Sequence, residues 1–207
     1  MVALRPFKSA DLDDLYEISL ATGHAGDDAS ALYQDPRMIG HLYSAPYALL
    51  SPATSFVAED ETGVGGYIVG AVDTYAFDYR LEREWWPELR AAYPDPTGSP
   101  PTRWNADQRR CYLIHHPWRT PEAIVKTYPS HLHVNLLPRM QGQGVGRSLL
   151  ELWLCTVRPL GAAGVHVGVS AHNHRGVRFW KSCGFVPLEN APTGSTVWLG
   201  RHLDADR

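Results

Sequence analysis

Hydrophobic positions along this chain change period several times, and each change predicts an element. Val2–Arg5 reads as a short strand. Ser9 is a capping residue type ahead of Leu12, Leu15, Tyr16 and Ile18, which recur at helical spacing until Gly23 stops them. Asp27–Tyr47 is mixed, with helical pieces and a break at Asp35-Pro36. Ser55–Glu59 and Val64–Phe77 read as strands of a hairpin, joined by the turn Asp60-Glu61-Thr62-Gly63. In Asp78–Tyr128 the period is lost: Trp86-Pro87-Glu88 and Thr120-Pro121-Glu122 look like helix starts, and Pro94–Pro101 is a loop. The C-terminal part is sharply patterned. Ser130–Leu137 is a strand, Pro138–Gln143 a loop and Gly144–Arg158 a helix with Leu149, Leu150, Trp153, Leu154 and Val157 on its apolar side. Gly164–Val169 is a strand, Asn173–Cys183 a helix stopped by Gly184, and Thr196–Leu203 a last strand. The alternation predicts an α/β fold, a mixed sheet with helices packed on it.

The length of 207 residues and 44% hydrophobic content fit one domain, residues 1–207, with an insertion at about 78–128. That insertion carries Trp85, Trp86, Trp104 and Trp118, which suits a packed segment and not a tether. No apolar run reaches the roughly 20 residues of a membrane span. Met1-Val2-Ala3-Leu4-Arg5 lacks a signal pattern, so a cytoplasmic protein is expected. Cys111, Cys155 and Cys183 are odd in number and far apart, which predicts neither disulfides nor a zinc site, and Cys183 reads as core. The net charge of −3 divides unevenly. Residues 1–77 carry 11 acidic and 3 basic side chains, and residues 78–207 carry 11 and 16. This excludes a uniformly basic nucleic-acid binder and is compatible with one anionic and one cationic ligand.

The informative run is Gln141-Gly142-Gln143-Gly144-Val145-Gly146-Arg147-Ser148, between an apolar strand and an amphipathic helix. Glycines there leave backbone N–H groups free at a helix N-terminus, where they can hold phosphate oxygens, and Arg147 adds charge. A P-loop is excluded because Arg147 follows Gly146 and Gln141 occupies the position of its first glycine. The dinucleotide fingerprint fails because the three glycines alternate. The remaining pattern is Q-x-x-G-x-G.

That pattern resembles the acyl-CoA-binding motif of the GCN5-related N-acetyltransferase (GNAT) superfamily. Asn173, Phe179, Trp180, Gly184 and Phe185 resemble its second motif. Ser130-His131-Leu132-His133-Val134-Asn135-Leu136-Leu137-Pro138, after the Trp-rich insertion, resembles bacterial acetyltransferases similar to the C-terminal domain of O-GlcNAcase. The resemblance implies a mostly antiparallel central sheet with splayed parallel strands four and five, and helices on both faces. It implies acetyl-CoA as co-substrate and no metal. The thioester arm would pair near Leu136 and Leu137, the pyrophosphate would sit on the amides of Gln141, Gly142, Gln143, Gly144, Val145, Gly146 and Arg147, ahead of Ser148, and Asn173 and Trp180 would touch the arm. Acetyl would pass directly to a small-molecule or peptide amine, with no covalent enzyme intermediate.

Two positions depart from the family pattern. Trp180 stands where relatives carry the tyrosine that protonates the leaving thiolate, and Asn135 stands where O-GlcNAcase-like relatives tend to carry aspartate. Neither side chain is an ordinary acid or base. His133, two residues before Asn135 on the same strand face, is the nearest titratable substitute. His131 and His133 have no carboxylate or cysteine at ligand spacing, which argues against metal. His115-His116, His172 and His174 read as loop residues. Tyr67, Tyr75, Trp85 and Trp86 are candidates for the acceptor wall, and the acidic first 77 residues are expected to favour a cationic acceptor. Two readings stay open: an N-acetyltransferase acting as monomer or homodimer, or a catalytically impaired acetyl-CoA-binding module serving as sensor or peptide-binding domain. Neither calls for nucleic acid or membrane.

Overall fold

The computed structural model describes residues 1–189 and 194–203; residues 190–193 and 204–207 lie outside them. Strand β1 (Ala3–Pro6) leads through a 3-10 turn into α1 (Leu12–Ala21), followed by α2 (Met38–Tyr43) and α3 (Ala45–Leu50). The hairpin is β2 (Ser55–Asp60) and β3 (Gly63–Ala71). Four helices come next: α4 (Thr74–Arg80), α5 (Trp86–Ala92), α6 (Ala106–His115) and α7 (Glu122–Thr127). The C-terminal part is β4 (Ser130–Leu136), α8 (Val145–Val157), β5 (Gly164–Ser170), α9 (His174–Ser182), β6 (Val186–Pro187) and β7 (Thr196–His202).

These strands form one seven-stranded sheet in the order β1-β2-β3-β4-β5-β7-β6. All neighbours are antiparallel except β4 and β5. The parallel pair is registered only at Ser130–Val165 and His131–His166, after which the strands part. Alternation along the strands splits the core in two. On one face Leu149, Leu150, Trp153 and Leu154 of α8 and Trp180 of α9 pack on Ile68, Leu132, Val165 and Val167. On the other face α1, α3 and the insertion pack around Tyr67, Val69 and Ala71. The Trp153 indole N–H donates to the Thr54 carbonyl at 3.1 Å, which anchors α8 across β2.

Several expectations need correction. The expected strand Val64–Phe77 stops at Ala71, because the Asp73 side chain accepts the Ala76 N–H at 2.9 Å and opens α4. Replacing Asp73 with alanine is therefore expected to cost about 1 kcal/mol in chemical denaturation. Ser9 lies in the 3-10 turn and does not cap α1; Asp11 closes that turn by accepting the Lys8 N–H at 2.8 Å. Asp27–Tyr47 breaks at Ser44 as well as near Pro36. His115 is the last residue of α6 and His174 the first of α9, so neither is a loop residue. The insertion packs into the fold, in keeping with its tryptophans: Leu81, Trp86, Leu89, Cys111 and Ile114 are buried in the second core. Cys183 is buried in the first. Among the described residues, no helix is long and apolar enough to cross a membrane.

Candidate active site

The site follows from the parting of β4 and β5. Leu137 N–H donates to the Gly65 carbonyl at 2.8 Å, and the β3–β4 register continues from there. In an antiparallel ladder this turns the backbone groups of His131, His133 and Asn135 toward β3, and those of Val134 and Leu136 toward the gap. Leu136 therefore offers an N–H to an extended ligand. Leu137 does not, contrary to the sequence reading, because its N–H is already paired.

At the end of β4 the chain enters the glycine-rich turn. Gly142 (φ 74°) and Gly144 (φ 81°) are left-handed, a conformation that glycine adopts without strain. Gly146 serves packing: a Cβ there would lie 3.2 Å from the Phe179 ring. Every backbone N–H from Gly142 to Arg147 lacks an acceptor among the described residues. That run presents free donors at the start of α8, an arrangement able to hold an anion. Both ends of the expected cradle are spent elsewhere. Gln141 N–H donates to Pro138 O at 3.1 Å, and its side chain donates to Leu136 O at 2.8 Å. Ser148 N–H donates to Gly144 O at 3.0 Å, within the helix. Gln143 reaches back to Arg139 O at 2.6 Å. Arg147 leans on Ser182 O at 2.8 Å while its guanidinium stays exposed beside the turn.

A cavity of about 580 Å³ lies between the strands and the helices of the insertion. It brings together His133, Asn135, Asn173 and Trp180, whereas the turn 141–148 lies outside its wall. Asn173 caps α9 by accepting the Gly176 N–H at 2.7 Å. Trp180 is 6% exposed and packs edge-on against Phe185. Asn135 Nδ2 donates to Thr22 Oγ1 at 2.6 Å, and Thr22 Oγ1 donates to Ile18 O. The amide is thereby oriented, and its Oδ1, without a protein partner, can accept a hydrogen bond from a ligand.

Above Asn135 stand three imidazoles. His131 and His166 rings are 5.6 Å apart, and His131 and His133 rings 6.5 Å. Burial lowers the basicity of all three, and neighbouring imidazoles add to this at His131 and His133. His133 is pushed down to about 4, so it is neutral near pH 7. Among the described residues, no three His, Cys, Asp or Glu side chains are placed to hold a metal ion.

The acceptor side differs from expectation. Tyr67 and Trp86 line the cavity, but Tyr75 is exposed and Trp85 donates its indole N–H to His41 O at 2.9 Å. Tyr43, Tyr47, Trp118 and Trp198 complete the aromatic wall. None of the acidic residues among the first 77 reaches it. Its charged groups come from the insertion: Asp78, Glu82, Arg110 and Arg119. Burial pushes the Asp78 carboxyl up to about 6, against the pull of Arg119. The charge balance along the chain was a poor guide because folding interleaves the segments.

The Acetyltransferase (GNAT) family model matches residues 12–185. This chain belongs to the GNAT acetyltransferase family. Its fold closely matches the crystal structure of SsHAT, with TM-score 0.87, 34% identity and coverage of 97% of this chain and 98% of that one. The Salmonella typhimurium acetyltransferase yncA, solved with its cofactor acetyl-CoA, shares the fold at TM-score 0.55, with 17% identity and coverage of 99% and 95%. Protein O-GlcNAcase from Rattus norvegicus is 25% identical over 97% of this chain, which spans only 22% of that protein's length.

Proposed function

We propose that this GNAT chain transfers acetyl from acetyl-CoA directly to an amine, on a small molecule or a peptide, within a ternary complex. The observation that carries the reading is the β4–β5 gap, with the free Leu136 N–H at its edge and the unpartnered amides of Gly142–Arg147 at its end. An extended thioester arm fits the gap as a short extra strand, and a diphosphate fits the amide cradle. The likeness to yncA, whose structure holds acetyl-CoA, supports the same placement. The acceptor enters from the aromatic side, where Asp78 and Glu82 offer partners to a cationic group.

His133 is the base in this reading. It is neutral near pH 7 and lies on the cavity wall, whereas Asn135 can only position the amine. Trp180 packs in the core and supplies at most a hydrogen bond. Replacing His133 with alanine is expected to lower kcat at saturating acetyl-CoA by about 100-fold, the scale of one general base. Wild-type turnover in that variant would remove His133 from the reaction.

Thiol release from acetyl-CoA, followed with a panel of amines and peptides, tests the function. Turnover that never exceeds slow hydrolysis would favour the second reading, a binding module with impaired catalysis, to which Asn135 and Trp180 point. Calorimetry in which ATP or NAD displaces acetyl-CoA would point to a different phosphate ligand.

A further inference from the structure

On the cavity wall, Thr74, His131, Tyr47 and His133 form an unbroken chain. Thr74 Oγ1 lies 2.7 Å from both Pro129 O and His131 Nδ1. His131 Nε2 lies 2.9 Å from Tyr47 Oη, and His133 Nε2 lies 3.3 Å from the same oxygen. Each hydroxyl has one hydrogen, so the chain has a direction. Pro129 O can only accept, so Thr74 must donate to it. His131 Nδ1 then carries the proton and donates to Thr74. His131 Nε2 is bare and accepts the Tyr47 O–H. Tyr47 Oη in turn accepts from His133 Nε2–H. The opposite direction would leave two oxygens 2.7 Å apart with no hydrogen between them.

The consequence falls on His133 Nδ1, which is left as a bare lone pair. Among the described residues it has no protein partner, and the only occluded side-chain N or O atom without one is Arg158 Nε. The cavity therefore meets His133 Nδ1.

We infer that Thr74, His131 and Tyr47 are positioning residues that lock His133 in the Nε2–H form, with Nδ1 presented to the acceptor amine. The inference rests on the acetyl-transfer reading for its purpose, not for its geometry. In the reaction the amine nitrogen forms its bond to the acetyl carbon and loses one proton to Nδ1. The carbon–sulfur bond breaks, sulfur leaves with the electron pair, and the imidazolium gives it that proton. No proton needs to travel along the chain, because each of its hydrogen bonds already carries its hydrogen toward Pro129 O. The other titratable rings in contact with the pair are Tyr43, edge-on to His133, and His166, whose Nδ1–H is held by Tyr128 O at 2.7 Å. Neither competes for His133 Nε2.

Long-range nitrogen–proton NMR of the full chain reads the tautomers without any turnover. The expected result is Nδ1–H on His131 and Nε2–H on His133. A wild-type His133 found as Nδ1–H overturns the assignment. Thr74→Val removes the oxygen that sets the direction, and is expected to leave both rings as tautomer mixtures and to lower kcat about tenfold at unchanged KM for acetyl-CoA. Thr74→Ser keeps the oxygen and is expected to restore both. A Thr74→Val protein with wild-type tautomers refutes the lock. The expected tautomers in the wild type, together with no turnover on any amine, would instead overturn the acetyl-transfer reading and with it the catalytic purpose of the lock, leaving the hydrogen-bond directions standing.

Discussion

Gly144→Asp is expected to weaken acetyl-CoA binding at least 100-fold, about 3 kcal/mol, in calorimetry on the folded variant. Two effects add. A carboxylate at the start of α8 competes with the diphosphate for the free amides from Gly142 to Arg147 and repels it. The residue sits at φ 81°, a left-handed conformation that aspartate and asparagine enter more readily than other side chains, so the backbone there can persist in the variant. Space is not an obstacle, since nothing lies within 4 Å of a Cβ placed there. Gly144→Asn isolates the charge, because asparagine shares aspartate's tolerance of the left-handed region and is neutral. It is expected to bind within severalfold of the wild type. Unchanged affinity in a folded Gly144→Asp protein would remove the diphosphate from this turn.

The second large effect is on stability in acid. In the unfolded chain His133 takes up its proton near pH 6.5, but in the folded protein only near 4. Between those values the unfolded state binds more protons, so stability is complete above pH 6.5 and is lost as pH falls toward 4. His133 alone accounts for about 3 kcal/mol of that loss, and His131 and His166 shift in the same direction. Asp78 opposes them: its carboxyl, raised to about 6, protonates first in the folded state and gains stability over part of the same window. Asp14, also raised, acts with it against four imidazoles, His41, His131, His133 and His166, so the net slope keeps the histidine sign. Urea midpoints at pH 7.5, 5.5 and 4.5 should fall in that order, and His133→Gln should flatten the trend. A midpoint independent of pH would show that their surroundings do not hold these imidazoles neutral.

What the chain revealed before folding was local. The three alternating glycines after an apolar strand marked the turn, and helical spacing of Leu149, Leu150, Trp153, Leu154 and Val157 marked α8 to within a residue at either end. The i, i+2 spacing of His131, His133 and Asn135 placed them on one face of β4, since strand side chains alternate. The insertion was visible as a Trp-rich stretch, but its helices were legible only where proline opened them, at Trp86-Pro87 and Pro121-Glu122.

Partners distant along the chain were not legible. Tyr47 and Thr74 stand 84 and 57 positions from His131, and only the packing of α3 and α4 on β4 brings them to that ring. Read alone, His131 and His133 lacked the carboxylate or cysteine that a metal site needs; in place, His131 has both nitrogens engaged. Asp78, Arg110 and Arg119 reach the cavity because the insertion folds over it, a fact that no running sum of charge contains. Periodicity and turn chemistry act between neighbours in sequence, so the sequence by itself determined the sheet-and-helix framework and the glycine-rich turn. Hydrogen-bond partners, burial and basicity act between neighbours in space, so only the tertiary structure decided that His131 has both ring nitrogens engaged while His133 keeps one free on the same cavity wall.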